Sequence, residues 1–127
     1  MVMLFVQKDY GFEFGRDNVV RMDTGLVYQA LKDGQVDVGL VFATDGRIPA
    51  FNFLVLKDDK GFFPSYAITP VVRKEILEKN PKLAEILNNL SGKLDDATMA
   101  KLNASVDVDK KTVEDVSSSF LKAQGLI

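Results

Sequence analysis

The chain has 127 residues, of which 46% are hydrophobic and 27% charged, and this predicts one ordinary globular domain with a single core. Its formal net charge is −2 and its Lys and Arg residues do not cluster in one segment, which argues against the basic patch that nucleic-acid binding depends on. The absence of cysteine and histidine excludes zinc sites built from thiolate or imidazole, as well as Cys-His and Ser-His nucleophile pairs. No cofactor is predicted.

The first third of the chain alternates between apolar runs and turn signals, which is typical of strands joined by a helix. The helix carries apolar residues at helical spacing, and the last run is apolar almost throughout. Such a strand–helix–strand unit predicts a parallel sheet and an α/β fold. The predicted elements are a loop at 7–18, a strand at 19–22, a helix that begins at Asp23 or Thr24 and ends at Gly34, and a strand at 36–42.

Two further short strands and then a series of helices are predicted after Gly46. A polar turn separates the two strands, and caps or prolines mark the helix starts. These elements are strands at 51–56 and 66–69, a turn at 58–61, a helix from Pro70 to about Lys79, a helix that begins at Asn80-Pro81, a helix that begins at Asp95, and a helix from the capping box Thr112-x-x-Asp115 to Gly125.

Polar and aromatic residues at the ends of the apolar runs are the candidate binding residues. Phe42 ends one run and Thr44 and Asp45 follow it, whereas Tyr66 comes after the next run. Strand ends that share one rim are where open α/β sheets bind ligands, and a tyrosine face can bind a cation. The alternative stays open that Thr44-Asp45-Gly46 is simply a turn, since Asp-Gly is a strong turn dipeptide.

Catalysis is not predicted. The adjacent carboxylates at Asp58-Asp59 and Asp95-Asp96 are typical of solvated turns and helix caps. The sequence contains no nucleophile elbow, dinucleotide fingerprint or Walker A motif. We therefore expect a binding module and not an enzyme, and a small enzyme on an open α/β sheet is the less favoured alternative.

Several strings of residues together resemble the substrate-binding proteins of ABC transporters for osmoprotectants, which bind glycine betaine, carnitine and choline. The resemblance runs from about Tyr10 to Ile127. It is carried by Asp23-Thr24-Gly25-Leu26-Val27-Tyr28-Gln29-Ala30-Leu31, Gly34-Gln35-Val36-Asp37-Val38, Thr44-Asp45-Gly46-Arg47-Ile48, Asp58-Asp59-Lys60 and Phe63-Pro64-Ser65-Tyr66.

The resemblance implies part of the type II periplasmic-binding-protein fold, in which two α/β lobes close on a ligand across a hinge. Residues 1–127 would form a single fragment that matches the C-terminal half of the family's fold. In this interpretation residues 17–44 end the second lobe, 45–70 cross the hinge, and 71–127 supply closing helices of the first lobe.

The resemblance also implies the ligand site and the partners. Tyr66 matches a tyrosine of the aromatic cage that holds the trimethylammonium group, and Phe42 stands where many members carry a second one. Thr44 and Asp45 are expected to shape the turn beside them, with direct ligand contact as a lesser role. The implied partners are an ABC permease and its ATPase, at an extracytoplasmic location in the periplasm or on the cell surface.

Apolar helix faces and strand edges that lack partners favour association. We therefore expect a homodimer, and exchange of segments around residues 45–50 is one way to form it. Two alternatives remain open: a compact monomer, and a structural or regulatory domain that retains the fold without binding a ligand.

Overall fold

The computed structural model describes residues 2–127, with side-chain burial from residue 5 onward. Its regular structure consists of α-helices and one short 3-10 turn at Arg16–Asn18. The helices are α1 (Val2–Tyr10), α2 (Thr24–Lys32), α3 (Arg47–Ala50), α4 (Lys74–Lys79), α5 (Lys82–Ser91), α6 (Asp96–Asp107) and α7 (Val113–Ala123).

The four predicted strands do not form paired strands within the described residues. Residues 19–22, 36–42 and 66–69 have no regular structure, and the predicted strand at 51–56 begins with a turn at Phe51–Asn52. A strand is defined by hydrogen bonds to a neighbour, which a hydrophobic pattern cannot supply by itself. Among residues 2–127 these apolar segments are therefore not hydrogen-bonded into a sheet.

The predicted loop at 7–18 is also partly wrong, because α1 extends to Tyr10. The N–H groups of Gly11 and Phe12 both donate to the carbonyl of Gln7 and end the helix. The buried Gln7 side chain then accepts a hydrogen bond from the N–H of Phe14 at 2.5 Å. The loop folds back on α1 through this side chain.

Helix α2 is confirmed at both ends. Asp23 precedes it in an extended conformation, and Gly34 follows it at φ 68°, where glycine has no steric penalty. The Gln35 N–H reaches back to the carbonyl of Ala30 at 2.8 Å, which satisfies one of the carbonyls left free at the helix end.

Helices α6 and α7 follow the predicted caps, whereas α5 begins at Lys82 after Pro81 without a side-chain capping hydrogen bond. The Asp95 side chain accepts from the Thr98 N–H at 2.7 Å, and Thr112 Oγ1 accepts from the Asp115 N–H at 3.1 Å. Helix α4 begins later than predicted, at Lys74 rather than at Pro70. The β-branched pair Val71-Val72 disfavours a helical start there.

Packing is concentrated where α3 lies on α6 and α6 lies on α7. Ile48 of α3 and Ala100 of α6 are buried. Gly46 allows close approach of backbones, since a Cβ built on it would lie 2.4 Å from the backbone nitrogen of Ala104. The α3–α6 contact therefore depends on the absence of a side chain at residue 46.

The remainder of the chain exposes much apolar surface. The accessible area is 10126 Å², whereas a compact monomer of 14.1 kDa is expected to expose about 6,700 Å². Leu54, Leu56, Ile68 and Val71 are each more than 70% exposed. Among residues 2–127, no helix has the length and apolarity needed to cross a membrane.

Candidate ligand-binding site

Phe42 combines an exposed ring with a fixed backbone. Its side chain is 59% exposed, and its N–H donates to the hydroxyl of Tyr28 at 3.1 Å. Tyr28 lies on α2 and is 1% exposed, the most buried large side chain in the described part of the structure. Burial raises the pKa of Tyr28 above its ordinary value, so the hydroxyl stays protonated at neutral pH.

Asp45 is ion-paired with Arg47 inside the same turn. Its Oδ1 accepts from the backbone N–H and the Nε of Arg47, both at 2.9 Å, and its Oδ2 accepts from Nη2 at 2.8 Å. The hydrogen bonds from Arg47 lower the pKa of Asp45 below its ordinary value. The carboxylate is therefore already neutralised by a cation of the chain itself.

Arg47 also joins the turn to α2. Its guanidinium carbon lies 3.8 Å from the centroid of the Tyr28 ring, a cation–π distance, and Nη1 donates to the carbonyl of Gly25 at 3.0 Å. A planar guanidinium can stack and form a fork of hydrogen bonds at once, as lysine cannot. Phe42, Asp45, Arg47 and Tyr28 thus form one connected cluster.

Thr44 contributes through its backbone. Its carbonyl accepts a hydrogen bond from Nδ2 of Asn103 on α6 at 2.7 Å. Together with the contact of Gly46 on Ala104, this attaches the turn to α6. The residues after Phe42 are therefore held from two sides, by α2 and by α6.

Tyr66 has no hydrogen bond to this cluster within the described residues. It is 74% exposed in a stretch without helix, and its side chain makes no hydrogen bond within the described residues. The structure brings Phe42, Thr44 and Asp45 together and does not show a contact between them and Tyr66. That all four share a ligand site stays a prediction.

A second anchored turn lies between the two predicted strands. Asp58 accepts from the backbone N–H groups of Phe62 at 3.0 Å and Phe63 at 2.7 Å, and from the hydroxyl of Tyr10 at 2.5 Å. The hydrogen bond from Tyr10 is the main reason why the pKa of Asp58 is lowered. Asp58 acts structurally here, as expected for an aspartate in a turn.

Sequence reasoning did not assign roles to Tyr28 and Arg47. Both stand inside strings that carry the resemblance, Tyr28 on the helix and Arg47 directly after the Asp-Gly dipeptide. An arginine two residues after an aspartate is a signal for a local ion pair, and a tyrosine among the apolar positions of a helix is a signal for a buried hydroxyl with a partner.

Two surface cavities of about 420 and 380 Å³ lie between α6 and α7. Leu102 and Val116 line both of them. None of the predicted site residues lines either cavity.

Comparison with known proteins identifies the family. The family model OpuAC, the substrate binding domain of ABC-type glycine betaine transport systems, matches residues 2–123. The glycine-betaine-binding protein of Pseudomonas aeruginosa is 48% identical over 118 residues, which are 93% of this chain and 38% of that protein. The carnitine transport binding protein OpuCC of Listeria monocytogenes is 44% identical over 115 residues, 91% of this chain and 37% of that protein.

A solved structure shows the same architecture. The crystal structure of a glycine betaine/carnitine/choline ABC transporter superposes with a TM-score of 0.89 at 42% identity, and the match covers 97% of this chain and 44% of that chain. This confirms the predicted fold class, part of an α/β type II periplasmic-binding-protein fold. This chain spans less than half the length of each of these three proteins. The chain belongs to the family of substrate-binding domains of ABC-type glycine betaine transport systems.

Proposed function

We propose that this chain is part of the solute-binding component of an ABC importer for quaternary ammonium osmoprotectants such as glycine betaine, choline or carnitine. The family match supports the class of protein, and the names of the relatives support the class of ligand. The chain acts by binding, and no step of chemistry is assigned to it.

The observation that carries this proposal is the exposed ring of Phe42 beside an aspartate that is already paired. Because Arg47 neutralises Asp45, that carboxylate is not free to act as a counter-charge for a ligand. A trimethylammonium group would then be recognised by aromatic faces, of which Phe42 and Tyr66 are exposed in this chain. Thr44 and Asp45 act mainly by holding the turn next to Phe42.

Closure of two lobes completes the mechanism that we propose. Residues 17–44 belong to one lobe, 45–70 to the hinge and 71–127 to the other lobe. The hydrogen bond from Asn103 to the Thr44 carbonyl supports a firm attachment at the start of the hinge. Closure excludes water around the cation, which strengthens its attraction to the rings. An ABC permease and its ATPase would receive the ligand on the extracytoplasmic side of the membrane.

Isothermal titration calorimetry on the full chain tests the proposal. Glycine betaine, choline and carnitine are the probes, and each is expected to release or absorb heat with a saturable isotherm. The matched control for glycine betaine is 3,3-dimethylbutyrate, which has the same shape with a carbon atom in place of the charged nitrogen. Binding of the charged compound at least about tenfold tighter is expected for recognition of a desolvated cation by rings.

The second candidate function is a structural or regulatory domain that retains the fold without a ligand. The exposure of both the Phe42 and Tyr66 rings, with no hydrogen bond from the Tyr66 side chain to the Phe42 cluster, favours it. A flat titration with all three ammonium probes, on a chain shown to be folded by circular dichroism, would support this function and contradict our proposal. Equal affinity for glycine betaine and 3,3-dimethylbutyrate would contradict the cation-based mechanism alone.

A further inference from the structure

The hydroxyl of Tyr28 lies beside the backbone of Phe42 and close to the carboxylate of Asp45. It is carried by a side chain that is 1% exposed, and it accepts the hydrogen bond of the Phe42 N–H at 3.1 Å. A buried polar group that loses its partner is costly, so this hydrogen bond restricts where the backbone of Phe42 can lie. The ring of Phe42 extends from that fixed point into the open.

Arg47 in turn restricts the Tyr28 ring. Its guanidinium carbon lies 3.8 Å above the ring, and three of its nitrogens hold hydrogen bonds, two to Asp45 and one to the Gly25 carbonyl. Since Gly25 and Tyr28 are both on α2, the guanidinium bridges the first turn of that helix and the turn after Phe42. Movement of the Tyr28 ring would disturb this whole set of contacts.

From this arrangement we infer that Tyr28 and Arg47 are positioning residues that set the place of the Phe42 ring for ligand binding. Tyr28 acts through the Phe42 amide, and Arg47 acts by holding the Tyr28 ring and the turn at Asp45. The inference deepens the proposed function and rests on it for the ligand. Its structural half can be measured without any ligand.

The ligand-free experiment is amide hydrogen exchange of Phe42, followed by NMR. Tyr28→Phe keeps the ring beneath Arg47 and removes the acceptor, so exchange of the Phe42 amide should become about three- to tenfold faster. Tyr10→Phe is the matched control, because it removes a tyrosine hydroxyl that bonds Asp58 instead. It should leave the Phe42 amide unchanged, and equal exchange rates in wild type and Tyr28→Phe would overturn the inference.

A second variant, Arg47→Lys, tests the same inference if Tyr28→Phe folds poorly. Arg47→Lys retains the positive charge but cannot stack on the ring and form the fork to Asp45 at once. It should also speed exchange at Phe42, while amides of α7 keep their wild-type rates. Uniformly faster exchange throughout the chain would indicate general destabilisation and would contradict a positioning role.

The ligand experiment is a double-mutant cycle with glycine betaine as the probe. Tyr28→Phe should weaken binding about three- to tenfold in the wild-type background, and less than about twofold in a Phe42→Ala background, because the two residues act through one contact. Equal losses in both backgrounds would overturn the inference. If wild type does not bind glycine betaine, the proposed function fails. The exchange rate of the Phe42 amide in Tyr28→Phe still tests whether Tyr28 positions Phe42.

Discussion

Asp45 and Arg47 form an ion pair within the turn that follows Phe42. The carboxylate accepts from one backbone N–H and two guanidinium nitrogens of the same arginine. Hydrogen bonds from a charged donor are stronger than those between neutral groups. We therefore expect this pair to contribute to stability although both side chains are partly exposed.

Asp45→Asn should reduce the free energy of unfolding by about 1–2 kcal/mol at neutral pH. Asparagine can still accept the hydrogen bond of the Arg47 backbone N–H, but it cannot form the charged pair of hydrogen bonds with the guanidinium. Chemical unfolding followed by circular dichroism measures it. Asp37→Asn removes an exposed carboxylate without an ion pair in the described residues, and it should cost less than about 0.5 kcal/mol. Equal costs for the two variants would contradict the role of the pair.

The same pair predicts a pH dependence. The folded chain lowers the pKa of Asp45 below its ordinary value of 3.8, so its contribution is fully present above that value. It is lost as the pH falls further, through the folded pKa. The free energy of unfolding of wild type should therefore decrease below about pH 4, and Asp45→Asn should show a shallower decrease, with Asp58 and Asp95 carrying the remainder. Parallel pH profiles would contradict this assignment.

Substitutions at the two exposed aromatic residues, Tyr66 and Phe42, should have different effects on the affinity for a ligand. Tyr66→Ala should weaken the binding of an ammonium ligand by about 1–2 kcal/mol, the value of a desolvated cation–π contact. Phe42→Tyr should keep affinity because the π face is retained, whereas Phe42→Ala should weaken it. Ile68→Ala is the control, since that side chain is similarly exposed but has no aromatic face. Calorimetry measures all four, and unchanged affinity in Tyr66→Ala would remove Tyr66 from the site.

The turn at Thr44-Asp45-Gly46 was predictable because aspartate and glycine determine it locally. The partners of that turn were not predictable in the same way. Tyr28 and Asn103 reach it from different helices, and only folding brings them near. The sequence therefore predicted the position of the turn, and the structure shows which side chains of other helices form hydrogen bonds to its backbone.

Among the elements, helices were predicted better than strands, and for a physical reason. The caps at Asp95 and Thr112 satisfy backbone groups within three residues, so the sequence contains all the information needed. The segments 36–42 and 51–56 need neighbouring strands that the pattern does not specify. Val71-Val72 shows the same limit on a smaller scale, because a proline signal was outweighed by β-branched neighbours.

Gly46→Ala should destabilise the contact between α3 and α6. The new Cβ would lie 2.4 Å from the backbone nitrogen of Ala104, which cannot move independently of its helix. Overpacking of this kind costs about 1–3 kcal/mol. Gly25→Ala is the matched control, since its Cβ would meet nothing within 4 Å and should leave stability equal or slightly higher. Thermal unfolding compares them, and a neutral Gly46→Ala would show that the helices can separate freely.

For the molecule as a whole, the accessible surface is larger than expected for a compact monomer, and strongly exposed apolar side chains are part of it. Leu54, Leu56, Ile68 and Val71 are all strongly exposed, and they lie in segments that form neither helix nor strand within the described residues. Exposed apolar surface of this extent drives association in water. A second copy of the chain is the partner that we predict.

Light scattering after size exclusion at micromolar concentration should therefore give a mass of about 28 kDa, twice the 14.1 kDa of the chain. The interface should bury well over about 1,000 Å². Leu54→Lys together with Ile68→Lys should shift the population to monomer, whereas two lysines on the exposed face of α7 should not. A monodisperse, folded species of 14 kDa in the wild type would contradict the homodimer.

The exposed stretch around Tyr66 also makes the chain easy to cut. Residues 63–71 are all exposed and lack helical structure. Proteases cleave preferentially in exposed segments of this kind. Chymotrypsin should cleave after Tyr66, because the ring is accessible and alanine follows it. The contacts of Thr44 and Gly46 with α6 join the two sides of that cut. The two pieces should consequently remain together after cleavage.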